Sequence, residues 1–325
     1  MSDRVSVLER LGVELPIVQA GMGGGLANAE LAAAVSTAGG LGTIGILPPD
    51  SLARELRSAR ERTDRPIAVN LILHLARGAH WEVARGADAV VTFWGRPKRR
   101  TEGLWIHQCG SVEEARAAHA AGADAVIAQG VEAGGHVRGT TPAAELLPAV
   151  KRELPGDYPV MLAGGIAEPG DVAAALAGGA DAAVLGTRFL MTRESGAHEA
   201  YKRRLAQASE TMLTELFGVG WANAPHRVIA NRATERWLRR DSRGPAAVRL
   251  ANRLAGPVVG LVPMRHAGAL SARQAPGMPF FGPSAPTAAD PDSFVDTAAL
   301  YAGESVARID DVPPAAEVVA RLSSS

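Results

Sequence analysis

Short apolar runs rich in valine and isoleucine recur eight times in the first 185 residues, each bounded by Gly, Pro or Asp. They cover residues 16–20, 41–46, 66–71, 88–93, 104–108, 124–128, 159–163 and 181–185. None alternates apolar with polar residues, as a strand with one wet face would, so each reads as a parallel strand buried on both faces. Ala-rich segments with helical spacing lie between most of them, such as 28–38, 111–121 and 169–177. Ser111 with Glu114 three residues on is a helix-start pattern, and each of these segments ends near a glycine. Eight βα units are the number that closes a barrel, so the expected fold is α/β, a (β/α)8 TIM barrel; a doubly wound open sheet is the alternative.

Two intervals break the repeat. Between the fourth and fifth runs, RPKRRTE (96–102) is too short and too basic for a normal crossover helix, which predicts a loop or a single turn. After the eighth run, residues 195–216 read as one helix and the alternation then stops. Helical pieces at 232–239, 246–254 and 261–270 and the Pro/Gly-rich QAPGMPFFGPSAP (274–286) predict a helical substrate-covering insertion. The expected division is a barrel over 1–217, a lid domain over 218–295 and a segment over 296–325 that packs back on the barrel. Helical spacing returns over 291–322, and 323–325 should be disordered.

Charge and composition exclude several classes. The 34 Lys and Arg balance the 34 Asp and Glu, so no global field favours nucleic acid or an anionic membrane. No run reaches the ~20 apolar residues of a membrane span, and the first residues lack a signal-peptide core. The single cysteine, Cys109, cannot form an internal disulfide. The expectation is a cytoplasmic enzyme with a small-molecule substrate, no nucleic-acid or membrane partner, and a homodimer left open.

Active sites of βα barrels form at the carboxyl ends of the strands. That rule selects GMGGG (21–25), Asn70, QGVEAGGHVRG (129–139), GGI (164–166) and GTRF (186–189). The last two are consecutive glycine turns after the seventh and eighth strands, the place where barrels hold a phosphate on backbone N–H groups. His136 stands in the third loop behind two glycines, and imidazole is the side chain best suited to proton transfer near neutrality. His107 lies within a run and is ambiguous; His74, His80, His119, His198, His226 and His266 read as surface or satisfied core residues. Met22 suits the face of a planar ring or core filling, Asn70 and Gln129 suit the polar edge of a flat heterocycle, and Glu132 and Arg138 flank the histidine. GMGGG lacks the spacing and the later acidic residue of a dinucleotide fingerprint. No HExxH, CxxC or Walker pattern occurs.

PIVQAGM (16–22), AELAAAVSTAGGLGTIG (29–45), VNL (69–71), AQGVEAGGHVRG (128–139), LAGGI (162–166), GTRFLMTRES (186–195) and NAPHRVIANRA (223–233) together resemble the nitronate monooxygenase family, formerly 2-nitropropane dioxygenases. The resemblance implies an FMN-containing barrel that oxidises alkyl nitronates with oxygen to a carbonyl compound and nitrite. By motif position Gly21, Met22 and Gly23 border the flavin, and Asn70 and Gln129 bond it. Gly134, Gly135, Gly164, Gly165, Val184, Leu185, Gly186 and Thr187 would hold the FMN, and His136 matches the catalytic histidine. QAGM replaces the usual QAPM, and the fourth βα unit is shorter than usual. The same motifs occur in flavin-dependent enoyl-acyl-carrier-protein reductases, so the alternative reaction is FMN- and NAD(P)H-dependent reduction of an enoyl thioester.

Overall fold

Strands that are apolar on both faces need helices outside and a packed interior, and closure into a barrel supplies both. The computed structural model describes residues 7–221, 223–239, 241–259, 274–277 and 280–324. Its strands are β1 Ile17–Gln19, β2 Gly42–Ile44, β3 Ile67–Ile72, β4 Ala89–Phe93, β5 Leu104–Cys109, β6 Ala125–Gln129, β7 Gly135–His136, β8 Val160–Ala163 and β9 Ala183–Leu185. All but β7 form one parallel sheet in the order β1-β9-β8-β6-β5-β4-β3-β2. The ring shuts where Gln19 N donates to Leu41 O and Leu41 N to Ile17 O, both at 2.9 Å. All eight apolar runs of the sequence are thus barrel strands.

Side chains alternate between two cores. Val18, Ala68, Val91, Ile106, Ile127, Met161 and Val184 fill the barrel interior, where Val7 and Leu8 of the first helix, Val7–Leu11, join them. Ile17, Trp105, Val126, Val160, Leu162 and Leu185 face out against the helices. The helices start where the sequence caps them: Asn28 accepts from Leu31 N ahead of Ala29–Thr37, and Ser111 Oγ from Glu114 N ahead of Val112–Ala120. Between β4 and β5 the chain forms no helix. It turns sharply at Trp94 (φ 59°) and Gly95 (φ 155°), and Arg99 takes over the missing helix's bonding by donating to Gly122 O, Thr101 O and Gly103 O.

Beyond β9 the structure departs from the single helix expected over 195–216. Only Glu199–Ala206 is helical there, capped by His198, and Met212–Thr214 is a strand, β10. Two constraints break the long helix. Gly196 packs directly on the backbone of Gly25, and residues 212–214 pair with β11, His226–Val228, which in turn pairs with β7. The helical pieces at 232–239 and 246–254 appear as Arg232–Trp237 and Ala246–Val259; the one at 261–270 lies outside the described residues. The tail carries two 3-10 turns, Asp292–Asp296 and Glu304–Arg308, and one helix, Ala315–Leu322. That helix buries Ala315, Val318, Val319 and Leu322 in the outer barrel core. Of 323–325, expected to be disordered, Ser323 and Ser324 instead bond back to Ala320 O and Arg321 O, and Ser325 lies outside the described residues.

Helix Ala29–Thr37 lies so close to β2 that a Cβ at Gly42 would overlap the Ala32 carbonyl, whereas one at Gly78 meets nothing. Gly42→Ala should therefore cost at least ~2 kcal/mol in urea unfolding, and Gly78→Ala should lie within about 0.5 kcal/mol of wild type.

Candidate active site

The carboxyl ends of the barrel strands open into a cavity of about 1360 Å³. Small-molecule sites usually take ~300–1,000 Å³, so this one has room for a cofactor and a substrate together. One wall is nearly bare backbone. Gly21, Gly23, Gly134, Gly164, Gly165 and Gly186 come to it from four loops, with Met22, Val184 and Thr187 beside them. The turn after β8 is possible only for glycine, because Gly164 and Gly165 have φ of 115° and 74°. Gly134 abuts the tail, and a Cβ there would meet Gly303 N at 2.5 Å. Asn70 also lines the cavity, its Cβ so close to Gly21 that only glycine fits opposite. Leu185 does not: strand alternation turns it outward into the helix core, fully buried.

The facing wall is aromatic and carries His136. Its two-residue strand, Gly135–His136, begins at a positive φ (75°) and pairs with β11, so that His136 lies opposite His226. The His136 ring stacks on Trp221 at 3.8 Å between centroids, with His226 at 5.3 Å, Tyr301 at 5.6 Å and Trp94 edge-on at 5.8 Å. Gln129, at the end of β6, holds the loop by donating from Nε2 to His136 O (3.0 Å) and accepting at Oε1 from Arg138 N (3.1 Å). His136 keeps partial exposure at the cavity wall although it lies deep in the molecule. Burial first, and the His226 ring second, hold its pKa well below the usual histidine value, so the imidazole is neutral. His136 Nε2 and Trp221 Nε1 are buried with no hydrogen-bond partner among the described residues, a condition that costs about 1–3 kcal/mol per group.

The other histidines divide. His226 is fully buried and satisfied, donating from Nδ1 to Ala224 O and accepting at Nε2 from Phe217 N. The core assignment held for its bonds but missed its place beside His136. His74 and His80 both line the cavity; His80 is fixed by Leu47 O and Arg77 N, while His74 stacks on Trp221 at 6.0 Å. His107 is buried against Thr92 Oγ1 at 2.7 Å, His119 packs on Tyr158, and His198 caps its helix. His266 lies outside the described residues. Cys109 is buried, and desolvation raises its pKa, so it is a packing residue. Glu132 is spent on Ala143 N. Sequence reading missed the tail's share in the cavity, Tyr301, Gly303 and Ser305. Gly303 N donates to Thr187 Oγ1, a bond across 116 residues for which no local pattern exists.

A parallel barrel whose strand ends open on a glycine-lined cavity beside a neutral histidine is a barrel-enzyme site, and comparison with known proteins places it among the flavin-dependent oxidoreductases. The family model for nitronate monooxygenase matches residues 6–95 and 86–325, and the chain belongs to that family. A nitronate monooxygenase of Pseudomonas aeruginosa is 34% identical over 294 residues, covering 72% of this chain and 82% of that protein. A Mycobacterium tuberculosis relative, (3aS,4S,5R,7aS)-5-hydroxy-7a-methyl-1-oxo-octahydro-1H-indene-4-carboxyl-CoA dehydrogenase, is 36% identical over 248 residues, 72% of this chain and 68% of its own. Among solved structures, nitroalkane oxidase from Streptomyces ansochromogenes superposes with a TM-score of 0.75 at 31% identity, over 98% of this chain and 97% of that one. FabK from Thermotoga maritima gives 0.75 at 29%, over 99% and 95%. None of the described helices is long and apolar enough to cross a membrane.

Burial holds His107 and His226 down to about 4. A histidine whose pKa falls on folding binds more protons unfolded than folded, so its contribution is complete above about 6.5 and is lost as pH falls toward 4. Urea unfolding should show a loss of about 2 kcal/mol for each of these two residues between pH 7 and pH 5. Replacing His107 with Gln should flatten that dependence.

Proposed function

We propose that the chain oxidises alkyl nitronates, or the nitroalkanes that give rise to them, with FMN as cofactor and oxygen as electron acceptor, releasing a carbonyl compound and nitrite. The observation that carries this reading is His136: a neutral imidazole with an unpaired Nε2, on the cavity wall that faces bare glycine backbone. The residues present fit a flavin. Gly21, Met22, Gly23 and Asn70 leave a flat, side-chain-poor surface for the ring, and Gly134 and Gly135 approach it from the histidine loop. Gly164, Gly165, Gly186 and Thr187, with Val184 beneath them, form the two consecutive turns that suit its single phosphate, where Leu185 serves only to pack the strand. When bound, FMN supplies the electron acceptance and its return to oxygen that no side chain here can provide.

The chain's own groups handle the proton and the anion. His136 takes the proton from the carbon next to the nitro group, and the Trp221 indole N–H is a donor for the oxygen charge that develops. Burial keeps the imidazolium short-lived, so the proton is returned readily. Gln129 holds the backbone on either side of the ring, which fixes where the base stands. The proposed cover, 218–295, contributes Trp221, Gln274 and Phe280 to the cavity lining among its described residues. A second reading, a thioester substrate, is favoured by the Mycobacterium relative, whose name specifies a CoA-linked compound, and by a cavity larger than a small nitroalkane fills.

His136→Ala should retain the flavin while kcat/KM for a neutral nitroalkane falls by about 100-fold or more, with less than a tenfold loss on the preformed nitronate. Equal losses on both substrates would remove the proton-transfer role. Gly165→Asp places a side chain and a negative charge in the turn proposed for the phosphate, at a φ of 74°. The purified variant should lack the visible flavin absorption of wild type, and full occupancy would displace the phosphate from this turn.

A further inference from the structure

The basic stretch that replaces the fourth helix builds a second groove, of about 490 Å³, against the first. Arg96, Lys98 and Arg100 reach it from that loop, Arg77 from the loop after β3, and Arg138 from the histidine loop. Trp94, at a positive φ that bulky residues rarely adopt, marks the turn from β4 into that loop. Arg138 is paired with Glu114 at 2.5 Å. Arg77, Arg96, Lys98 and Arg100 have no carboxylate partner among the described residues, in a chain whose formal charge is zero. Arg77 Nη1 donates to the His74 and Ala76 carbonyls and Arg100 lies over the Trp81 ring, so the four positive charges gathered from two loops have neutral partners and none that cancels their charge. The groove shares His74 and Arg77 with the cavity, and Trp94 stands between it and His136, so it opens on the substrate side and away from the glycine wall.

We propose that this groove binds the phosphate-bearing tail of a coenzyme A thioester, whose arm passes His74 and Arg77 to place the acyl group beside His136. The charges match: a diphosphate and a phosphomonoester together carry about −3.5 to −4 near neutrality, against four unpaired cations. A lone nitronate, with one negative charge, has no use for such a cluster. This extends the thioester reading above and is independent of nitronate oxidation.

The test is calorimetric titration of the flavin-loaded protein with hexanoyl-CoA, comparing wild type with the combined Arg96→Ala, Lys98→Ala, Arg100→Ala variant. Those side chains are exposed; Arg100 also lies over the Trp81 ring at 5.7 Å, so unchanged urea unfolding of the variant is the control for folding. The expected result is a Kd raised about tenfold or more in the variant and raised in wild type by added salt, with nitronate oxidation unchanged within about twofold. Equal affinity in both proteins overturns the proposal. So does hexanoyl-N-acetylcysteamine, which lacks the phosphates, binding wild type as tightly. NADPH binding lost in the variant while hexanoyl-CoA binding is kept assigns the groove to a reductant and also overturns it. A wild type that binds hexanoyl-CoA tightly but does not oxidise nitronates supports the groove and removes the nitronate reading alone.

Discussion

Everything proposed for the cavity depends on the grip of one amide, Gln129, on the loop that follows β6. Its two ends bond the backbone at His136 and Arg138, so a rigid barrel strand dictates where a glycine-rich and otherwise loose segment runs. Held that way, Gly135 and His136 can pair as a short strand with β11, which carries Trp221's neighbourhood and His226 to the imidazole. Without the grip, the two glycines before His136 would let the ring wander, and a base that wanders by an ångström loses most of its value. The stacked aromatic wall is the second consequence. It removes much of the solvent around the imidazole and thereby keeps it neutral.

The barrel was readable because parallel strands buried on both faces leave an unbroken apolar signature, and all eight did. The loops at their carboxyl ends followed from the architecture, and with them His136, Asn70 and most of the glycines. Leu185 shows where motif position misleads: it shares a stretch with Val184 and Gly186, yet the two-residue period of a strand turns it away. Met212–Thr214 shows the opposite failure, a segment of helical spacing recruited into a sheet by a partner found only in the fold. His226, Trp221, Tyr301 and Gly303 reach the cavity by pairings or packing across tens of residues, and such contacts leave no local trace in the chain.

The glycine wall and the basic groove, both assembled from several loops, differ in their electrostatics. The glycine wall exposes backbone dipoles and no net charge, which suits a group held by many weak, directed donors. The arginine groove presents full charges on long side chains, which suits a flexible, highly charged tail held at several points.

The bonds that close the cavity wall are also a matter of timing. Thr187 Oγ1 receives Gly303 N from 116 residues further along, and Arg308 reaches back to Gly165 O across 143. At ~5–20 residues per second, a ribosome spends roughly 6–23 s between making Thr187 and making its partner. During that interval the barrel strands are all present while the pocket wall is open. The cavity wall is therefore finished only once the tail has been made, and a chain cut short before Gly303 would carry every barrel strand and lack this seal.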